Sequence, residues 1–221
     1  MARGKDRPPI WWRPEHGSRG PEAALDRQTI AAAAVGLADT GGLEAVSMRA
    51  VAGCLGTSAS ALYRYVDDRS DLLDLMSDHV VAELRPYPAA AEVWLTTMVT
   101  LAGAQRSLYE RHPWLVGLSY RSSSIGPESL AYFDACLSVL APTRAPARAK
   151  FEAIAMMTGL AALFAQRSQS EERGGVSAFP PGVLKSFPHL ADAVAQPMAP
   201  LVRDDLFDRA VQSVLLGLLE T

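Results

Sequence analysis

Cysteine is scarce in this chain of 221 residues: Cys54 and Cys136 are the only two, too far apart for a metal-ligand spacing. Small secreted scaffolds use more, so both read as reduced thiols, and a cytoplasmic chain is expected. No apolar run approaches the roughly 20 residues that span a bilayer, so no membrane partner is expected. The opening stretch, MARGKDRPPIWWRPEHGSRGPE, lacks the apolar centre of a secretory leader. Histidines 16, 79, 112 and 189 are scattered, with no pair at metal-binding spacing. There is no Gly-rich phosphate loop and no nucleophile elbow. The acids of RDDLFD (203–208) read as a capped helix start. These absences leave no catalytic, metal or cofactor set, and an enzyme is not expected. Period-2 alternation of β-branched residues is also scarce, while Ala and Leu abound, which points to an all-α fold.

What is present is unevenly spread. The formal net charge is −3, but residues 1–69 carry nine Lys/Arg against eight Asp/Glu, and residues 70–221 carry twelve against sixteen. An acidic body with a more basic front suits a protein that meets phosphate at one end. Residues 1–22 hold five basic residues, four prolines and the pair Trp11–Trp12. They read as a flexible arm, either disordered or following a DNA backbone through Arg13 and Arg19. The two tryptophans suggest docking onto the folded domain instead. Two further units are expected, at 23–84 and 85–221.

From Leu25 the pattern is helical. Ile30, Ala34, Leu37 and Ala38 share one face, Asp26 can cap the start, and Gly41–Gly42 supply the stop. A second helix begins after Ser47 and carries Met48, Val51, Ala52 and Leu55 at i, i+3, i+4 and i+7. It breaks at Gly56, and Ser58 can cap a third helix at once. In that helix Leu62, Tyr65 and Val66 face inward, while Ser60, Tyr63 and Arg64 point elsewhere. Ala59, Ser60 and Ala61 are small enough to let it sit in a groove about 12 Å wide. Two short helices, a tight turn and a small, polar, basic outer face describe a helix-turn-helix. A fourth helix follows, with Asp68 and Asp71 as a capping-box-like pair and Leu73, Met76, Val80 and Leu84 as its buried stripe.

Beyond Pro88, helices are expected near 90–111, 127–140, 144–167 and 201–220, with a short turn after Pro113. SQSEERGGVSAFPPG and FPHLADAVAQPMAP read as loops with one short helix. Met98, Leu101, Phe151 and Met157 lie at helical spacings and serve as core or as cavity wall. Gln105, Tyr109, His112, Tyr120 and Tyr132, with Trp114, add polar handles near the same faces, the composition a small-molecule pocket needs. In the last helix Phe207, Val211, Val214, Leu215 and Leu218 form an apolar face wider than a lone surface helix requires. Gly159, Ala161 and Ala162 would admit a close partner helix, so a four-helix dimer seam is expected.

The stretch SMRAVAGCLGTSASALYRYVDDRSDLL, together with AAAVGLADTGGLEAVSMRAVA before it, resembles the tetracycline-repressor (TetR/AcrR) family of transcriptional regulators. The likeness runs from about Leu25 to Leu84. The RHPWL turn and the WWRPEHGSRGP arm resemble actinobacterial-type members. The resemblance implies an N-terminal three-helix helix-turn-helix domain joined to a larger helical domain for ligand binding and dimerisation. It implies a homodimer that binds double-stranded operator DNA with two half-sites and is released by a small-molecule effector. By position, Ser47 and Arg49 would contact phosphates, and Ser58, Ala59, Ser60 and Arg64 would face the major groove. Tyr63 and Arg69 would each bind a further phosphate. The family often has Lys where Arg69 stands and His-Phe where Tyr65-Val66 stand. A helical dimeric module whose helix-turn-helix no longer reads DNA is the alternative, favoured only by the near-neutral front.

Overall fold

Short polar residues start the first four helices. In the computed structural model, which describes residues 8–14, 25–88, 93–119, 125–172, 183–195 and 203–220, Asp26 accepts from the Thr29 amide at 2.6 Å and opens α1, Arg27–Gly41. Ser47 does the same for α2, Met48–Cys54, Ser58 for α3, Ala59–Leu62, and Asp68 for α4, Arg69–Val81. Each side chain satisfies an amide that the helix itself leaves unpaired. The turns after α1 and α2 pass through Gly42 at φ 70° and Gly56 at φ 62°, a region that other residues enter only with strain.

The third helix is shorter than its apolar pattern implies. Regular α geometry ends at Leu62, and Arg64 and Tyr65 continue as turns whose amides bond three residues back, to Ala61 and Leu62. That tighter winding still buries Leu62, Tyr65 and Val66 and leaves Ser60, Tyr63 and Arg64 outside.

Six further helices follow: α5 Trp94–Arg111, α6 Trp114–Ser119, α7 Pro127–Val139, α8 Ala147–Glu172, α9 Pro188–Ala195 and α10 Arg203–Leu219. Among the described residues there is no strand, and no helix is long and apolar enough to cross a membrane. Helices α5, α8 and α10 pack on one another. Phe207 lies between Phe164, ring to ring at 5.2 Å, and the Arg106 guanidinium. Helix α4 packs on α1 at the front and on α7 behind, so one continuous apolar core runs from Ile30 to Leu219.

Two joints across α4 are polar. Helix α7 begins after Gly126, which has no side chain to cap it. Asp78 of α4 caps it from outside, accepting from the Glu128 and Ser129 amides and the Ser129 hydroxyl at 3.0–3.2 Å. A Cβ at Gly126 would fall on that carboxylate. Burial pushes the Asp78 carboxyl above its ordinary range, and these hydrogen bonds oppose the shift.

The second joint lies in the N-terminal segment. Residues 8–14 pack on the front helices: Ile10, in a 3-10 turn over Ile10–Trp12, is buried with Ala31, Val66 and Leu75. Arg13, a candidate for the DNA backbone by sequence, instead grips Asp71 with two nitrogens at 2.6 and 3.1 Å and reaches Asp67 at 3.0 Å. Asp71 is 1 % exposed, and a carboxylate that deep requires such a partner. Arg19 and the remainder of the 1–22 stretch lie outside the described residues. Replacing Arg13 by Ala removes this two-nitrogen grip on a buried carboxylate and is expected to lower stability by about 3–5 kcal/mol. Urea unfolding measures this, and a loss below 1 kcal/mol would contradict the geometry.

Candidate nucleic-acid interface and effector cavity

The front surface presents the expected polar row. Ser47, Arg49, Ser58, Ser60, Tyr63 and Arg64 are exposed, Tyr63 by 52 %, and Ala59 is half-buried beneath them. Ser58 and Ser60 hydroxyls meet at 2.9 Å, while Ser58 also accepts from the Ala61 amide. Arg69 is exposed too, but one of its nitrogens donates to the Leu43 carbonyl at 2.8 Å. It therefore pins the turn before α2 as well as lying near the row. Beneath, the Arg27 guanidinium donates to the carbonyls of Tyr65, Ile10 and Arg13 at 2.8–3.1 Å. One planar fork of donors thus joins the end of the α3 turn to the N-terminal segment.

At the other end of α4 lies a cavity of about 350 Å³ between α4, α5, α6 and α7. Of the pocket residues expected from sequence, Gln105, Tyr109 and Tyr132 line it. They form one network with Thr158: Gln105 donates to Tyr109 and Thr158, and Tyr132 donates to Gln105, all at 3.3 Å. Burial pushes the Tyr132 phenol well above its ordinary range, so it stays a neutral donor. Burial likewise pushes the Cys136 thiol up to about 12.

The other expected pocket residues are not among the cavity's lining. Met98, Leu101 and Met157 fill the core where α5 and α8 meet. Phe151 is 52 % exposed. His112 and Trp114 form a latch between the two ends of the molecule. The Asp39 carboxylate of α1 lies 2.7 Å from both His112 Nδ1 and the Trp114 indole nitrogen, and His112 Nε2 lies 3.1 Å from Glu83. Glu83, although partly buried, is held below the ordinary carboxylate range by Arg111 and His112. Tyr120 lies outside the described residues.

Sequence reasoning missed the α4 wall, Asp74, Ser77, Asp78 and Val81, and also Trp11. The available signal was the repeat of acids at 71, 74 and 78, which falls on the inward face of a helix. Among the described residues no group of three His, Cys, Asp or Glu is placed to hold a metal ion.

The expected dimer residues divide. Phe207, Val211, Leu215 and Ala162 are sealed inside the protomer's own core by α5 and α8 and cannot meet a partner. Gly159, Val214 and Leu218 are half-buried on the outside. Beside them on α8, Met156 and Leu163 are more than half exposed.

Two family models match the chain. Residues 30–76 match "Bacterial regulatory proteins, tetR family", and residues 87–221 match "Tetracyclin repressor-like, C-terminal domain". A transcriptional repressor from Streptomyces coeruleorubidus, DrrR1, is 34% identical over 177 residues, covering 76% of this chain and 64% of the relative. A helix-turn-helix transcriptional regulator from Saccharopolyspora erythraea is 33% identical over 132 residues, 60% of this chain and 56% of the relative. The chain thus spans less than two thirds of the length of these curated relatives. Among solved structures, apo ActR from Streptomyces coelicolor superposes with a TM-score of 0.74 at 24% identity, over 90% of this chain and 97% of that one. ActR in complex with actinorhodin gives 0.73 at 23%, over 90% and 97%. The fold is theirs in common, and the second model alone spans more than half the sequence. The chain belongs to the tetR family of bacterial regulatory proteins, which are transcription factors and not enzymes.

Proposed function

We propose that this protein is a ligand-responsive repressor that binds a palindromic operator as a homodimer in the cytoplasm and leaves it when a small, mainly apolar molecule fills the cavity. The observation that carries the reading is the placement of two surfaces on one helix. Helix α4 starts at Arg69, beside the exposed row, and its later turns form a wall of the cavity. A ligand that favours one tilt of α4 over another shifts the protein between DNA-competent and incompetent states, as differential affinity requires.

Roles on the exposed row are assigned from the family resemblance, and the exposure of these side chains supports them. Arg64, with Ser58, Ala59 and Ser60, reads base edges in the major groove, and an arginine there suits guanine O6/N7. Ser47, Arg49, Tyr63 and Arg69 hold phosphates and set register. Selection from random DNA is expected to return an inverted repeat. Binding should weaken steeply as salt rises. On that operator Arg64→Ala should cost about 1–3 kcal/mol and relax preference at one base step per half-site. Arg49→Ala should weaken all sequences alike and flatten the salt slope. An Arg64→Ala protein with unchanged affinity and preference would contradict the assignment, and a wild type that shows no footprint at any salt would favour a module that no longer reads DNA.

The effector reading rests on the cavity and its lining. Its walls combine aromatic and aliphatic side chains with the Gln105 network and two buried acids, a few convergent polar groups in an apolar space. ActR has been solved with actinorhodin, which is therefore the first molecule to try. Leu108→Trp should fill the cavity and abolish release from DNA while DNA affinity persists. Trp at Met98 or Met157, by contrast, overpacks the core at a cost of about 1–3 kcal/mol. Full response in the Leu108→Trp protein would remove the cavity from the account.

The dimer reading rests on the outer faces of α8 and α10, where Met156, Leu163, Val214 and Leu218 leave an apolar band beside Gly159 and Gly217. Two such pairs would form a four-helix seam. Val214→Glu or Leu163→Glu should raise the dimer dissociation constant at least a hundredfold, about 2.7 kcal/mol. Sedimentation at micromolar concentration reads the change, and a variant that stays dimeric would exclude the seam.

A further inference from the structure

The matched family models begin at residue 30 and omit everything before it. Yet Trp11, outside both, lines the cavity together with residues of α4, α5 and α7. It also lines a second, more open groove of about 380 Å³ on the flank of α1 and α4, with Asp26, Arg27, His79 and Glu128. Among the described residues the two spaces share Trp11 and Asp78 alone. Asp78 is fixed by its bonds to α7. Trp11 is half-buried and packs on the small cluster of Ile10, Ala31, Val66 and Leu75. It lines both the cavity and the groove.

The chemistry of the lining narrows what can lie against it. Trp11, Tyr109, Tyr132 and Phe133 offer aromatic faces, and Asp74 and Asp78 bring two carboxylates to the wall, the oxygens of Asp78 already accepting from α7. Among the described residues, no Lys, Arg or His lines the cavity. Aromatic faces favour offset or edge contact with another ring, and acids in a low-dielectric wall favour hydrogen-bond donors.

We propose that Trp11 is an effector-contacting residue, a wall that the N-terminal segment supplies to the cavity, and that the site takes planar aromatic molecules carrying amine or hydroxyl donors. This rests on the reading of the cavity as the effector site. The same segment is bonded onward: Arg27 joins its carbonyls to that of Tyr65, and Arg13 joins it to Asp71 at the start of α4. A ligand that touches Trp11 therefore presses on the turn that carries Arg64 as well as on α4.

The test uses the full chain and 9-aminoacridine, a planar, fluorescent, donor-bearing cation. Four tryptophans give four indole N–H resonances in a nitrogen-15 spectrum, and the Trp11→Phe protein identifies the one from Trp11. On titration the Trp11 resonance should shift, and Trp11→Ala should weaken binding at least tenfold. Trp11→Phe, which keeps a ring, should stay within about threefold, and the thermal midpoints of the wild type, both Trp11 variants and Leu108→Trp show whether the fold is kept. Leu108→Trp should abolish binding. Binding that Leu108→Trp abolishes, with Trp11→Ala within twofold of wild type and the Trp11 resonance unmoved, overturns this proposal and leaves the cavity standing. No binding to the wild type, or undiminished binding to Leu108→Trp, overturns the cavity reading and this proposal with it.

Discussion

Three carboxylates on the inward face of α4 set the terms for the rest of the molecule. Asp71, Asp74 and Asp78 recur at i, i+3 and i+7 and are nearly fully buried. Buried acids are tolerated only with hydrogen-bonding or charged partners. Asp71 takes the Arg13 fork and thereby fastens the N-terminal segment to the front of the molecule. Asp78 takes the free amides of α7 and fastens the second unit behind. Asp74, between them, faces the cavity. The demand of one helix for compensation thus joins the helix-turn-helix, the cavity and the segment 8–14.

A second connection runs parallel to it. Asp39 on α1 meets both His112 and Trp114, at the junction of α5 and α6, and Glu83 closes the other side of the imidazole. α6 contributes Leu115 and Leu118 to the cavity wall. Under the proposed function, a movement in that wall would reach α1 through these short polar contacts and α4 directly. Two discrete arrangements of such contacts, not a continuous deformation, are what a packed core permits.

The helical architecture was legible from sequence because its signals are local. Asp26, Ser47, Ser58 and Asp68 each act within three residues, Gly42 and Gly56 each set their own backbone angle, and the apolar stripes repeat within one helix. The exposed row was legible for the same reason, since Tyr63 and Arg64 fall off the stripe of Leu62, Tyr65 and Val66. The cavity was not, because a residue's periodicity says which way it faces within a helix and not what faces it. Met98 and Met157 point inward as expected, but into the α5–α8 contact. Phe207, Val211 and Leu215 form the broad apolar face expected, yet its inner half is consumed by the protomer's own helices, and only the Val214–Leu218 edge is left for a partner. Asp78 capping a helix fifty residues away, and Arg13 turning inward to Asp71, are long-range charge compensations that carry no local pattern.

In the proposed dimer, filling the cavity should move the two reading helices relative to each other through α4. Cys54 provides the handle: it is exposed at the end of α2, whereas Cys136 is buried and its thiol is pushed up to about 12. A spin label on the unmodified chain therefore goes to Cys54 alone and places one label near each reading helix of a dimer. Pulsed electron resonance would measure the distance between the two labels with and without a saturating ligand that releases the protein from its operator. The main distance should shift by about 2 Å or more in the wild type, at least the scale of a helix shift at an interface, and not at all in Leu108→Trp. An unchanged distance in a wild-type protein that the ligand has released from DNA would contradict the proposed movement.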